Sequence, residues 1–153
     1  MHCRRLAEAA QPMSCYRLTS GAVPPGDVVE SMDHLHLDPV PRVVSTAREF
    51  VRDRAPSLPG ESLDVVLLLT SELVTNAVIH ARTPIEVGIT VTDHSVVVTV
   101  HDEDLGAVPQ PNGREGGWGL GLVRTFAAES DMEVYPGDGK TAWFRVMREA
   151  LVS

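Results

Sequence analysis

Three groups of residues combine functional side-chain types with spacings that have chemical meaning. In the run Ser71-Glu72-Leu73-Val74-Thr75-Asn76-Ala77-Val78-Ile79-His80, Glu72, Asn76 and His80 recur every fourth residue, which on a helix stacks them on one face. A carboxylate and a carboxamide presented together suit a magnesium-phosphate site, because Mg²⁺ takes oxygen ligands and keeps several waters. Asn76 is the candidate metal ligand, and Glu72 the candidate group to orient or deprotonate a nucleophile. The same spacing also produces the solvent-facing stripe of an ordinary amphipathic helix. His80, near a helix C-terminus, is favoured by the dipole without any catalytic duty. This motif alone leaves both readings open.

The second group, Asp102-Glu103-Asp104-Leu105-Gly106, ends a strand whose even positions are Val96, Val98 and Val100. Parity puts Asp102 on the valine face, pointing towards a helix layer. An inward carboxylate needs a donor, and the exocyclic amine of adenine is a suitable one, because an ionised Asp only accepts hydrogen bonds. The alternative is an acidic turn beyond the end of the strand. The third group, Gly116-Gly117-Trp118-Gly119-Leu120-Gly121-Leu122, is a glycine-rich entry into a helix, where backbone N–H groups can approach phosphate oxygens. A flexible hinge with close helix packing would use the same residues, and Trp118 reads as a packing residue.

Two further patterns are set aside. Gly139-Lys140-Thr141 looks like the end of a P-loop, but Val134 stands where the first glycine belongs, and the residues after Thr141 alternate like a strand where a helix is required. His34 and His36 can share one face of a strand as metal ligands. With no further clear ligand, a surface strand is the preferred reading.

The elements that must position these residues are legible from periodicity and breakers. Residues 1–27 contain Pro12, Gly21, Pro24, Pro25 and Gly26 with little periodicity and read as a flexible extension, leaving 28–153 as the domain. A strand is expected from Glu30 to Leu37. Asp38 and Pro39 then read as the cap and first turn of a helix to Arg54, with Val40, Val43, Val44, Ala47 and Phe50 as its apolar stripe. A second helix is expected from Glu61 to Ala81, with Val65, Leu68, Leu69 and Leu73 facing inward. From Ile85 the period becomes two, and Asp93-His94 turns the chain into a second strand from Ser95 to Asp102. The breaker-rich stretch up to Gly117 reads as a mobile loop. A helix from Leu120 to Ala128 and strands at Asp131–Tyr135 and Thr141–Val146, around Gly137-Asp138-Gly139, complete the chain. This order predicts an α+β two-layer sandwich, a mostly antiparallel sheet with helices on one face.

Glu72-x-x-x-Asn76, Asp102-x-Asp104-x-Gly106 and Gly117-x-Gly119-Leu120-Gly121-Leu122 resemble, in order, the N, G1 and G2 boxes of the Bergerat-fold ATPases, the superfamily of gyrase and histidine kinases. The strings at 71–81 and 139–145 are similar to one branch, the anti-sigma-factor serine/threonine kinases. The resemblance covers residues 30–148. It implies ATP and Mg²⁺ as cofactors, with Asn76 at the metal, Glu72 activating the acceptor hydroxyl, and Asp102 at adenine within a G1 box that includes Asp104 and Gly106. It further implies Gly117, Gly119 and Gly121, with Leu120 and Leu122, in the phosphate lid, and Thr141 helping to hold the base. Asp104 departs from the pattern, standing where the G1 box often has glycine. The chain has no room for the dimerisation and phospho-acceptor helices of a sensor kinase, so autophosphorylation on His80 is not implied. The implied partners are an anti-sigma-factor antagonist, a sigma factor, or both, with a homodimer as a family-level expectation.

Composition narrows the classes further. A chain of 153 residues with 43% hydrophobic content suits a single core. Its net charge of -8 argues against a broad basic surface for nucleic acid or anionic lipid. No apolar run approaches bilayer length and the N-terminus lacks a signal-peptide core, so a cytoplasmic protein without a membrane partner is expected. Cys3 and Cys15 read as reduced and incidental. Three functions remain: a protein kinase, a binding module switched by ATP without phosphoryl transfer, and an interaction protein that binds no nucleotide. ATP affinity separates the last from the others, and transfer of the γ-phosphate separates the first two.

Overall fold

Valine and isoleucine at alternate positions commit the middle of the chain to extended backbone, since β-branched side chains are stiff and pack well on a pleated surface. In the computed structural model, which describes residues 22–104, 120–135 and 137–149, they form a hairpin of β2 (Ile85–Thr92) and β3 (Ser95–Asp102). With β1 (Val29–Leu37), β4 (Glu129–Tyr135) and β5 (Gly139–Met147), they build a five-stranded sheet of order β1-β2-β3-β5-β4. Every neighbouring pair is antiparallel.

Three helices, α1 (Val43–Arg54), α2 (Gly60–Asn76) and α3 (Leu120–Phe126), cover one face. There Ile85, Val87 and Ile89 of β2, Val96, Val98 and Val100 of β3 and Phe144 of β5 join Phe50 of α1, Leu69 and Leu73 of α2 and Val123 of α3 in one core. The architecture is the expected two-layer α+β sandwich, in the expected element order.

The opposite face is also buried. Thr90, Thr99 and His101 are enclosed there, and Val97 and Trp143 pack with Ala22 in a second, smaller cluster. Residues 22–27, which by their composition fell within the expected extension, therefore reach the sheet, and Asp27 accepts a hydrogen bond from Thr92 Oγ1 at 3.0 Å. Cys3 and Cys15 lie outside the described residues.

Three local expectations are corrected. The first helix starts at Val43 rather than at Asp38-Pro39, because a residue before proline is pushed out of the α region and both Asp38 and Val40 precede one. Residues 39–42 form bends and a turn instead, with the Val43 N–H donating to the Val40 carbonyl at 3.0 Å. Leu68 of α2 points outward and is 41% exposed, whereas Val66, Leu67, Leu69 and Leu73 are buried. Finally, Gly60–Ala81 is a continuous helical stretch of 22 residues, long and apolar enough by length and composition to cross a bilayer. Glu61, Asp64 and Glu72 break up the apolar run in the sequence and hide this density. In the fold, the apolar side of α2 is the wall of the core.

The last turn of that stretch, Ala77–Ala81, is a π-helix. The Arg82 N–H donates to the Ala77 carbonyl at 3.3 Å, and Arg82 itself adopts the left-handed conformation, with φ 58° and ψ 31°. An exposed non-glycine residue is strained there. Arg82→Gly is expected to raise stability by about 0.5–1 kcal/mol in urea unfolding. No gain would show that the Arg82 side chain contributes packing that offsets its backbone strain.

Candidate functional site

The register of β3 on its neighbours places Asp102 between Ile85 of β2 and Lys140 of β5. Parity turns Asp102 and Lys140 to the helix side, at the end of the sheet. Both are almost fully buried, at 4% and 8% exposure. Lys140 Nζ donates to Asp102 Oδ1 at 3.0 Å, and the Asp104 N–H donates to the same oxygen at 3.0 Å. Asp104 Oδ2 lies 3.7 Å from the ammonium. Both contacts of the Asp102 carboxylate fall on Oδ1, so Oδ2 remains an acceptor without a hydrogen-bond donor among the described residues. A hydrogen-bonded pair of this kind is stable only as a pair. Removing one partner of a buried ion pair costs about 3–5 kcal/mol in general, because the other charge is left without compensation.

Two backbone features hold the pair in place. The Glu103 N–H donates to Thr83 Oγ1 at 2.9 Å, which ties the exit of β3 to the chain just beyond the π turn. Gly139, with φ 89°, opens β5. A Cβ at this position would overlap the Asp102 carbonyl oxygen and come within 2.7 Å of Glu103 Cα. Only glycine lets the two backbones close this tightly.

On α2, Glu72 and Asn76 are half-buried and flank Leu73 and Ala77, which belong to the core. Among the described residues, neither side chain is engaged in a hydrogen bond or ion pair. The π turn starts immediately after Asn76 and packs against β3. His80 lies on this turn and is exposed. Leu120 is the first residue of α3, and Gly121 and Leu122 follow it on the surface. Gly106, Gly117 and Gly119 lie outside the described residues.

Asp102, Asp104 and Lys140 are thus brought into contact. Thr141 is not with them. One residue past Lys140, it faces the other side of the sheet, where its hydroxyl is 2.8 Å from His101 Nδ1. The sequence points to Asp102 and Asp104 but not to Lys140, which stands there in a failed P-loop and, without a role of its own, in the family-like string at 139–145. A signal was available, because Lys140 is the only lysine in the chain and directly follows a turn glycine. The strand order that sets it opposite Asp102 is not written in the local pattern.

A family model described as the histidine kinase-like ATPase domain matches residues 36–146. The chain belongs to this family. The matched region contains Glu72, Asn76 and the whole Asp102–Lys140 cluster, and a histidine kinase-like ATPase domain implies an ATP-binding site. A search of curated protein sequences gives no match. Among solved structures, the domain is similar to the RsbU and RsbW domains of Rv1364c from Mycobacterium tuberculosis, with a TM-score of 0.59 and 21% identity. That likeness covers 80% of this chain and 35% of the other, so this chain spans about a third of the length of that structure. At this identity the likeness speaks for the fold.

The donor set suits an adenine nucleotide. Asp102 Oδ2 is an acceptor in a nearly buried position, and Glu72 and Asn76 supply unengaged oxygens from the helix layer, of the hard type that Mg²⁺ prefers. If the close approach at Gly139 sets the position of Asp102, Gly139→Ala should destabilise the domain by roughly 1–3 kcal/mol in thermal or chemical unfolding. Unchanged stability would show that the start of β5 can move away from β3 freely.

Proposed function

We propose that this histidine kinase-like ATPase domain binds ATP·Mg²⁺ and phosphorylates a Ser or Thr of a partner protein, in the manner of the anti-sigma-factor kinases. The partner in this reading is an anti-sigma-factor antagonist, and a sigma factor is the alternative binding partner, which places the protein in the cytoplasm. The observation that carries the reading is the Asp102 carboxylate, held at the sheet end by Lys140 and the Asp104 N–H with one oxygen left for a donor. The three boxes in order along residues 72–122 support it. The structural neighbour, with its RsbU and RsbW domains, agrees with the fold that this reading needs.

Each residue then has a limited task. Asp102 accepts a hydrogen bond from the exocyclic amine of adenine, which selects the base. Asn76 offers its carboxamide oxygen to the metal. Mg²⁺, when bound, neutralises phosphate charge and holds the phosphoryl group for in-line transfer. Glu72, one turn earlier on α2, orients the acceptor hydroxyl and takes up its proton. Glycine at 117, 119 and 121 is the residue type that would let backbone N–H groups approach the phosphates. Catalysis by such a site is mainly positioning and charge neutralisation.

One observation favours a second reading, an ATP-ordered binding module without transfer. Leu122 and Phe126 sit one turn apart on α3 and are 40% and 49% exposed, an apolar strip suited to a protein partner. Both readings require nucleotide binding. Asp102→Asn is expected to weaken ATP affinity roughly tenfold or more, the worth of a hydrogen bond to a charged group, in calorimetric titration with Mg²⁺. A folded wild-type protein without ATP affinity would remove both readings. Glu72→Ala should reduce transfer of radiolabel from the γ-phosphate to the partner by at least about a hundredfold while leaving ATP affinity within a few-fold. Equal transfer by wild type and variant would end the role given to Glu72, and absence of transfer from both would leave the binding module.

A further inference from the structure

Lys140 has no place among the residues that the three boxes supply, yet it is the cation closest to the candidate base-reading carboxylate. Its ammonium has three N–H donors and no acceptor. One donor is satisfied by Asp102 Oδ1 at 3.0 Å, and Asp104 Oδ2 lies at 3.7 Å, beyond good hydrogen-bond length. The pair therefore presents an acceptor, Asp102 Oδ2, side by side with a cationic donor.

Adenine's Watson–Crick edge carries the complementary order, the N6 amine as donor next to N1 as acceptor. Guanine reverses it, with O6 as acceptor and N1–H as donor. Guanine placed the same way would set oxygen against carboxylate and N–H against ammonium, two repulsive contacts that select against it. We propose that Lys140 is a base-reading residue, donating to N1 of adenine while Asp102 accepts from the N6 amine. The inference rests on the ATP-binding reading and adds the second half of base recognition to it. It also gives a purpose to the strand parity that puts Lys140, and not Thr141, on the face of Asp102.

A plain counter-ion role would make a different prediction. If Lys140 served only to compensate the charge of Asp102, its removal would weaken every adenine nucleotide alike. The test is calorimetric titration of the full chain, with Mg²⁺, using ATP, 1-deaza-ATP, which lacks the N1 acceptor, and 7-deaza-ATP, which keeps it. Wild type is expected to bind 1-deaza-ATP roughly tenfold or more weakly than ATP, and 7-deaza-ATP within a few-fold of ATP. Lys140→Met is expected to bind ATP and 1-deaza-ATP equally, with Lys140→Leu, which also lacks a donor, used in its place if the methionine variant does not fold. Equal affinity of wild type for ATP and 1-deaza-ATP overturns the proposal and leaves ATP binding standing. Persistence of the full wild-type preference in the Lys140 variant assigns the N1 contact to another group and also overturns it. A folded wild type that takes up none of the three nucleotides overturns the ATP reading, and the proposal falls with it.

Discussion

The ion pair between Lys140 and Asp102 and the register of β3 on β5 depend on each other. A buried charge is tolerated only next to an opposite charge, and the pair forms only when residue 140 lies opposite residue 102. A slip of one residue would send every side chain of a strand to the other face. It would bury Thr141 beside the carboxylate and send the ammonium to the opposite face, towards His101. The hydrophobic alternation resists the same slip, because Phe144 and Val146 would leave the core. Two unrelated forces, apolar burial along the strands and charge compensation at their end, therefore specify one alignment, and the position of Asp102 inherits the rigidity of the whole sheet.

The helix layer meets this edge through a short set of backbone devices. α2 gives way to a π turn directly after Asn76, and the wider turn ends on a left-handed Arg82. That reversal brings Thr83 to the backbone of Glu103. The helix end bearing the candidate metal ligand and the strand end bearing the candidate base reader are thus joined across the two layers by a side-chain hydrogen bond. π turns are uncommon and concentrate at functional sites. Here the extra residue per turn lets the chain leave α2 and still reach β2 within a few residues.

Much of this was legible in the sequence because the elements use unmixed periodicities. The valines and isoleucines of 85–100 announced the hairpin and the direction of Asp102, and the four-residue spacing of Glu72 and Asn76 announced their shared helix face. What was missed depended on contacts distant in sequence or on local geometry that overrides pattern. Lys140 matters through a partner 38 positions earlier, and nothing in Gly139-Lys140-Thr141 indicates which strand lies alongside. The helix start at Val43 was displaced by two prolines acting on the residues before them. Leu68 fitted an apolar stripe by type, yet α2 is so rich in apolar residues that its sequence does not mark which ones face out. The burial of both sheet faces at Thr90, Thr99 and His101 was not visible either, since those residues are polar and alternate as a solvated face would.

The anchoring of Glu103 by Thr83 has a consequence for how such a domain can change over time. The stretch 105–119 leaves from a strand end fixed by that hydrogen bond. It rejoins the fold at α3, whose exit is fixed in turn by the Ala128 N–H on the Arg145 carbonyl at 2.7 Å. Since closing a chain connection costs only about 0.6 kcal/mol more for each doubling of its length, insertions and deletions between the two anchors leave the sheet register untouched. The strand end that carries Asp102 and Lys140 is inherited as a unit with the core. Between Gly106 and Gly117 the connection can change in length, so lineages sharing this scaffold are free to acquire different protein partners without rebuilding the strand end that carries Asp102.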